Sequence, residues 1–231
     1  MALHRIQPDT GATIKPGPMV VAAPARVITD EAHAGISQAT GLNGPFVADL
    51  LASCVTHERC GVNLFRALGA QTQNPLHQAT FRNFRADAGA AVDVYETLIG
   101  SLGGNIAYVS PPARMTEAVD QKLLEAFLLA GSADPMVLEL KGAEAVLLAS
   151  TLCLANTSLL AHLAESLDEG TEARTAMEQA VAALRPPQEA HLEWAVAAQH
   201  TMVLAQAKSR LAQRAGALLE EVTGKLKRLL R

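Results

Sequence analysis

From Gly44 onward, apolar residues recur at steps of three and four, the repeat of a helix buried on one side. Four long segments follow this rule. The first runs from Pro45 to Leu68 with the stripe Val47, Leu51, Cys54, Glu58, Gly61 or Val62, Phe65 and Leu68. Proline suits its first turn, where no backbone donor is needed. The second runs from Pro75 to Leu102 and aligns Phe81, Phe84, Ala88, Ala91, Tyr95, Leu98 and Leu102. Gly103 and Gly104 then supply a stop. The third starts at Asp134-Pro135, a cap followed by proline, and reaches Ser166. Its stripe reads Val137, Leu140, Glu144, Leu147, Thr151, Leu154, Ser158 and Ala161. A turn at Asp168-Glu169-Gly170 leads into the fourth, 171–207. There the stripe reads Met177, Val181, Leu184, Gln188, His191, Ala195, Ala198, Met202 and Ala205. Pro186 and Pro187 are expected to kink or restart this helix, because two donors are missing and the rings crowd the preceding turn.

Short links join the first segment to the second and the third to the fourth, which makes each pair antiparallel neighbours. Between the pairs lies a long connection, 105–132, with a short helical run from Thr116 to Leu129. One long crossover separates this order from a simple up-down bundle. Residues 1–43 break the pattern: Pro8, Pro16, Pro18 and Pro24 recur among Gly, Ala and Thr. They read as an irregular N-terminal arm, with a short helix after Asp30. Residues 208–231 read as an extra amphipathic C-terminal helix whose apolar face holds Leu211, Leu218, Leu219, Val222, Leu226, Leu229 and Leu230.

Composition agrees with an all-α class. Aromatic residues are 3% of 231, while apolar residues reach 49%, mostly the helix formers alanine and leucine. The net charge is −4 and the pI near 6, so a basic surface for nucleic acid is excluded and none is expected as a partner. Seven Lys/Arg and two Glu in 206–231 make that stretch +5. A basic amphipathic helix packs on its own bundle or in an oligomer interface, or binds a protein partner or an anionic membrane surface. No run of 18 uninterrupted apolar residues occurs, which argues against a membrane span. No secretion pattern opens the chain, so a cytoplasmic location is expected. Cys54, Cys60 and Cys153 form no CxxC pair, and neither a disulfide framework nor a zinc ribbon is indicated.

Polar groups on the core stripes carry the candidate chemistry. Glu58, Glu144 and His191 fall where apolar residues belong, and Gln188 stands one turn before His191. A buried ionisable group costs several kcal/mol, about 3–5 when left unpaired, unless it is paired or binds metal. Two readings follow: a buried hydrogen-bonded Glu–His–Gln network, or a metal site or its remnant. His57 points away from the Glu58 stripe and reads as a surface or interface histidine. Cys54 reads as a small buried hydrophobe.

Several stretches resemble the ferritin-like superfamily, the group of bacterioferritins and rubrerythrins. They are Thr56-His57-Glu58 with Leu64-Phe65-Arg66-Ala67-Leu68, the run Tyr95 to Gly104, the segment beginning Tyr108-Val109-Ser110-Pro111, and Gln188-Glu189-Ala190-His191 followed by Trp194. The resemblance spans 44–207 and implies a ferritin-like four-helix bundle. It also implies a di-iron site built from two single glutamates and two Glu-x-x-His pairs. By position, Glu58 and Glu144 match the single glutamates and His191 the second-pair histidine. Gln188 replaces a glutamate, and Ala88 and Ala91 stand at the first pair. Asp87 lies one residue away, about 100° round the helix.

Two iron ions need several anionic oxygens, and this set supplies two. The reading is therefore a ferritin-like protein with a degraded di-iron centre, acting by binding or assembly, as a homo-oligomer, with no cofactor or a single metal ion. The alternative is an iron-binding oxidoreductase or iron-handling protein using Glu58, Glu144 and His191, with Gln188 orienting bound water or dioxygen.

Overall fold

The computed structural model describes residues 12–15, 22–129 and 134–208. It is all-α, with six α-helices: α1 (Ala34–Thr40), α2 (Gly44–Gln71), α3 (Pro75–Ser101), α4 (Pro111–Leu129), α5 (Pro135–Glu165) and α6 (Glu172–Lys208). Three helix starts use one device. Asn43, Asn74 and Asp134 each place a side-chain oxygen on an early backbone N–H, and a proline follows in the first turn.

Side-chain pairs fix the helix directions. Arg59 meets Glu96 (2.6 Å) and Gly61 faces Ala88, so α2 and α3 are antiparallel. Thr157 meets Gln188 (2.6 Å) and Gln199 meets the Ala143 carbonyl (3.5 Å), so α5 and α6 are antiparallel. Ser53 meets Thr116 (2.6 Å) and His57 meets Asp120 (2.8 Å), so α4 runs parallel to α2. Helix α4 thus carries the long connection back along the molecule before α5 begins.

The N-terminal arm is tied down where it is described. A two-residue strand β1 (Thr13–Ile14) pairs in parallel with β2 (Tyr108–Val109). The helix expected after Asp30 is present as a 3-10 turn, Asp30–His33, running into α1. Gly35 lies against Gly103: a Cβ at 35 would sit 2.7 Å from the Gly103 carbonyl oxygen, so only glycine lets α1 reach the end of α3. The rest of the arm and the expected C-terminal helix 208–231, beyond Lys208 itself, lie outside the described residues.

The interior holds two apolar clusters. One, with Leu51, Tyr95, Leu102, Met177 and Leu184, lies where α2 and α6 begin. The other, with Phe65, Phe81, Phe84, Phe127 and Val146, lies where α2 ends. The stripes read for α2 and α3 are the buried faces, apart from the half-buried Gly61 and Val62.

Two expectations are corrected. The buried face of α5 is Ala143, Val146, Ser150, Thr157, Leu160 and Ala164, not the stripe through Val137 and Glu144. The true face lies about one residue, or 100°, away. Helix α5 is apolar on nearly every side, so periodicity offers no contrast to select a face. With 31 residues it is also long and apolar enough, by length and composition, to cross a membrane, although no run of 18 uninterrupted apolar residues occurs in it. Second, α6 runs through Pro186 and Pro187 without restarting. The carbonyls that lose their donors belong to Ala182 and Ala183, which are exposed, so water can satisfy them.

Candidate functional site

Between the two apolar clusters α2 brings Glu58 to the centre, 4% exposed. Gln188 Nε2 of α6 donates to Glu58 Oε1 (3.0 Å), and Thr157 Oγ1 of α5 donates to Gln188 Oε1 (2.6 Å). The Cys153 thiol also donates to the Glu58 carboxylate. Burial pushes the Glu58 carboxyl above its ordinary pKa; the nearby His57 charge and the Cys153 and Gln188 bonds offset only part of that. Burial likewise pushes the Cys153 thiol well up, which removes thiolate character.

His57 is buried, not a surface residue. Its Nε2 donates to the Ala149 carbonyl (3.1 Å) and its Nδ1 faces Asp120 Oδ2 (2.8 Å). Both ring nitrogens therefore meet acceptors, the arrangement an imidazolium requires. Burial lowers the His57 pKa, but the bond to Asp120, its charge, the Ala149 carbonyl and Glu58 together outweigh it, and the net shift is upward. One side chain thus ties α2 to α4 and α5.

His191 turns to the flank of α3. Its Nε2 meets Asp87 Oδ2 (3.0 Å), and its ring lies on Phe84 with centroids 3.9 Å apart. Burial lowers its pKa, and the Asp87 bond and charge restore only part. The Nε2–H donates to the Asp87 carboxylate, which can only accept. Trp194, one turn on, packs edge-on against His77, Phe81 and Phe84.

Of the four candidate residues, Glu58, Gln188 and His191 line one small cavity, together with Asp87, Ser150 and Cys153. Glu144 does not join them. It bonds Lys141 (2.5 Å), with its side chain 42% exposed, because the α5 register turns it outward toward α4. The cavity measures about 20 Å³, room for one water molecule. Its polar lining includes the Ser150 hydroxyl, which has no hydrogen-bond partner among the described residues.

The donor set does not fit a di-iron centre. Glu58 is the single interior glutamate of the expected set, and its oxygens already accept from Gln188 and Cys153. Ala88 and Ala91 face the cavity where a Glu-x-x-His pair would stand. Asp87 holds His191 and is half-exposed. Among the described residues no group of three or more His, Cys, Asp or Glu converges as a ligand set.

Asp87, Asp120, Thr157 and Cys153 belong to the site without having been singled out for it. Asp87 sits on the stripe's edge, from which a short carboxylate reaches the next helix. Asp120 lies on α4, 63 positions from His57, and its role depends on how α4 docks. Compared with protein-family models, curated proteins and solved structures, the chain matches none.

Proposed function

We propose that this chain is a ferritin-like four-helix bundle whose interior metal chemistry has been replaced by a hydrogen-bonded network, and that it works by binding or assembly. The order of two antiparallel helix pairs joined by a helix-bearing crossover supports the ferritin-like reading. The observation that carries the functional reading is Glu58: a buried carboxyl already held by an amide and a thiol, in a lining where Ala88 and Ala91 stand in place of further ligands. Gln188, Thr157, Cys153 and Glu58 then lock α2, α5 and α6 together, since each bond joins two different helices. The expected setting is cytoplasmic, as a homo-oligomer, without nucleic acid.

The competing reading is a single-iron oxidoreductase or iron-handling site from Glu58, Glu144 and His191. It loses Glu144 to the outer face of α5. Elemental analysis after growth with added iron, with melting curves in Fe²⁺, Mn²⁺ and Zn²⁺, separates the two. The network reading expects substoichiometric metal and no thermal shift. Stoichiometric metal that disappears in Glu58→Ala overturns it.

A further inference from the structure

The outer face of α5 is apolar where a solvent-facing helix is normally polar. Between Glu144 and Glu165 the helix carries no Asp, Glu, Lys or Arg. Its exposed positions there are Leu148, Thr151, Leu152, Ala155, Ser158 and Leu159, and His162 follows. The three leucines are 55%, 38% and 49% exposed. The exposed faces of α3 and α6 carry charge instead, with Arg82, Arg85 and Asp93 on one and Glu178, Arg185 and Glu189 on the other.

The exposed positions of α5 fall symmetrically about Ala155. Steps of three, four and seven lead back to Leu152, Thr151 and Leu148, and forward to Ser158, Leu159 and His162. At about 100° per residue, Leu148, Leu152 and Leu159 lie along one edge of the face, and Thr151, Ser158 and His162 along the other. A two-fold axis beside Ala155, at right angles to the helix, lays a second α5 antiparallel on the first. It sets Leu152 against Leu159 of the second copy, and Thr151 against Ser158 of the second copy, each pair occurring twice. Leucines then meet leucines, hydroxyls meet hydroxyls, and the small Ala155 stands where the helices come closest. Charge returns only at the ends, with Lys141, Glu144 and Glu165, as in the polar rim of an interface.

The leucine edge adjoins α4. Leu148 shares a groove of about 400 Å³ with Leu123, Ala126 and Phe127 of that helix. Val119 and Met115, 65% and 71% exposed, stand two and three turns before Ala126 on the same side of α4. Helices α4 and α5 together present a face about 30 Å long and about 20 Å wide. Two such faces bury about 1,200 Å² in total, where the range of stable interfaces begins; α5 alone supplies about half of that.

We propose that two copies of this chain pair through this face, α5 antiparallel to α5 about a two-fold axis at Ala155, with α4 flanking the leucine edge. The inference rests on the assembly reading above, to which it gives a surface and a partner, and not on whether the interior network binds metal.

The test uses the full chain in two measurements. Sedimentation velocity is expected to show a dimer, and Leu152→Glu to weaken it about a hundredfold, because a glutamate buried there finds no partner. Leu76→Glu, at a site 77% exposed on α3, is expected to leave the dimer unchanged. A melting curve checks each fold, and Ala155→Glu, also at an exposed site, replaces Leu152→Glu if that variant unfolds. Cross-linking with a short bismaleimide then reads the axis, with wild type as the blank, since Cys54, Cys60 and Cys153 are buried or half-buried. Ala155→Cys is expected to join to itself. Leu148→Cys is expected to join to His162→Cys in a mixture but not to itself, because its two copies stand about 21 Å apart. A monomer at every concentration overturns the proposal together with the homo-oligomer reading. A dimer indifferent to the glutamates, or one in which Leu148→Cys joins to itself, overturns the proposal alone and assigns assembly to another face.

Discussion

The two apolar halves of the interior are built differently. Where α2 and α6 begin, the core is aliphatic, with Leu51, Leu102, Met177 and Leu184 around Tyr95, and the N-terminal arm adds Ile28 and Ile36. Where α2 ends, the core is aromatic: Phe65 and Phe84 sit edge-on at 5.6 Å, and Trp194 stands against Phe81 and Phe84 at 5.3 and 5.4 Å. Between them the side chains are small or polar: Gly61, Ala88 and Ala149 surround Glu58, Gln188 and His191. Burial and dispersion have no direction, so the apolar halves do not by themselves specify which polar atoms meet. The polar layer does, since each bond joins one named atom to another on a different helix. Burial at the two ends supplies stability, and the layer sets the register.

That division can be broken at several places. The largest loss is expected in the aromatic half: Phe81→Ala costs about 3–5 kcal/mol, and Leu184→Ala in the aliphatic half about 2–5, read by urea unfolding. The two sites share no partner, so the double variant is expected to add within about 0.5 kcal/mol. A clear excess means the layer transmits strain between the halves.

Next comes the layer itself. Asp120→Ala removes the carboxylate that chiefly offsets the burial of His57, leaves Nδ1 without its acceptor and is expected to cost about 3 kcal/mol. The folded His57 pKa is raised, so its contribution is complete below the ordinary histidine value of about 6.5 and fades as pH rises through the raised value. Unfolding of wild type and Asp120→Ala followed from pH 5.5 to 9 is expected to converge at the alkaline end. Parallel curves show that the pair carries no charge.

A smaller effect lies at the link between α2 and α3. Glu139 of α5 accepts from Thr72, from the backbone N–H of Gln73 (3.0 Å) and Asn74 (3.3 Å), and pairs with His77 (2.6 Å). Burial raises its pKa, but these bonds and the His77 charge prevail and hold it below the ordinary value. Glu139→Gln is expected to cost about 1–3 kcal/mol at pH 7. The carboxylate contributes fully above about 4.5 and is lost as pH falls through the lowered value, so the variant and wild type meet in acid.

Glu58→Gln is expected to change least, by less than about 1 kcal/mol at pH 7, since an amide still accepts from Gln188. Because the folded Glu58 pKa is raised, wild type loses stability as pH rises from about 4.5 through that value, and the variant does not. A melting temperature at pH 8 equal to or above wild type is the expected result. A large drop means that the ionised carboxylate is needed and returns the site to cation binding.

Part of this was legible in the chain. Helix α3 alternates apolar and charged residues cleanly, and the stripe from Phe81 to Leu102 is its buried face. Glu58, Gln188 and His191 announced themselves as polar groups on apolar stripes, and all three line the cavity. Glu144 carries the same signature but lies on a helix with no contrast between its sides, so periodicity places the stripe about one residue from the buried face. The angle of His57 and Asp87 from a stripe says nothing of the neighbouring helix that a flank residue meets. The parallel pairing of β1 with β2 depends on residues 95 positions apart, and no local pattern encodes it.

The sequence by itself determined the helical class, the helix boundaries marked by Asn74-Pro75 and Asp134-Pro135, and the polar residues placed on otherwise apolar faces. Those are local properties, set by capping and by a repeat of three to four residues. The tertiary structure decided which face of α5 is buried, that α6 passes its two prolines unbroken, and that Glu58 is partnered by Gln188 and Cys153 while His191 turns to Asp87. Each of those depends on what a neighbouring helix offers at a given height. A periodic pattern shows that a face is buried, but the atoms opposite it come from elsewhere in the chain.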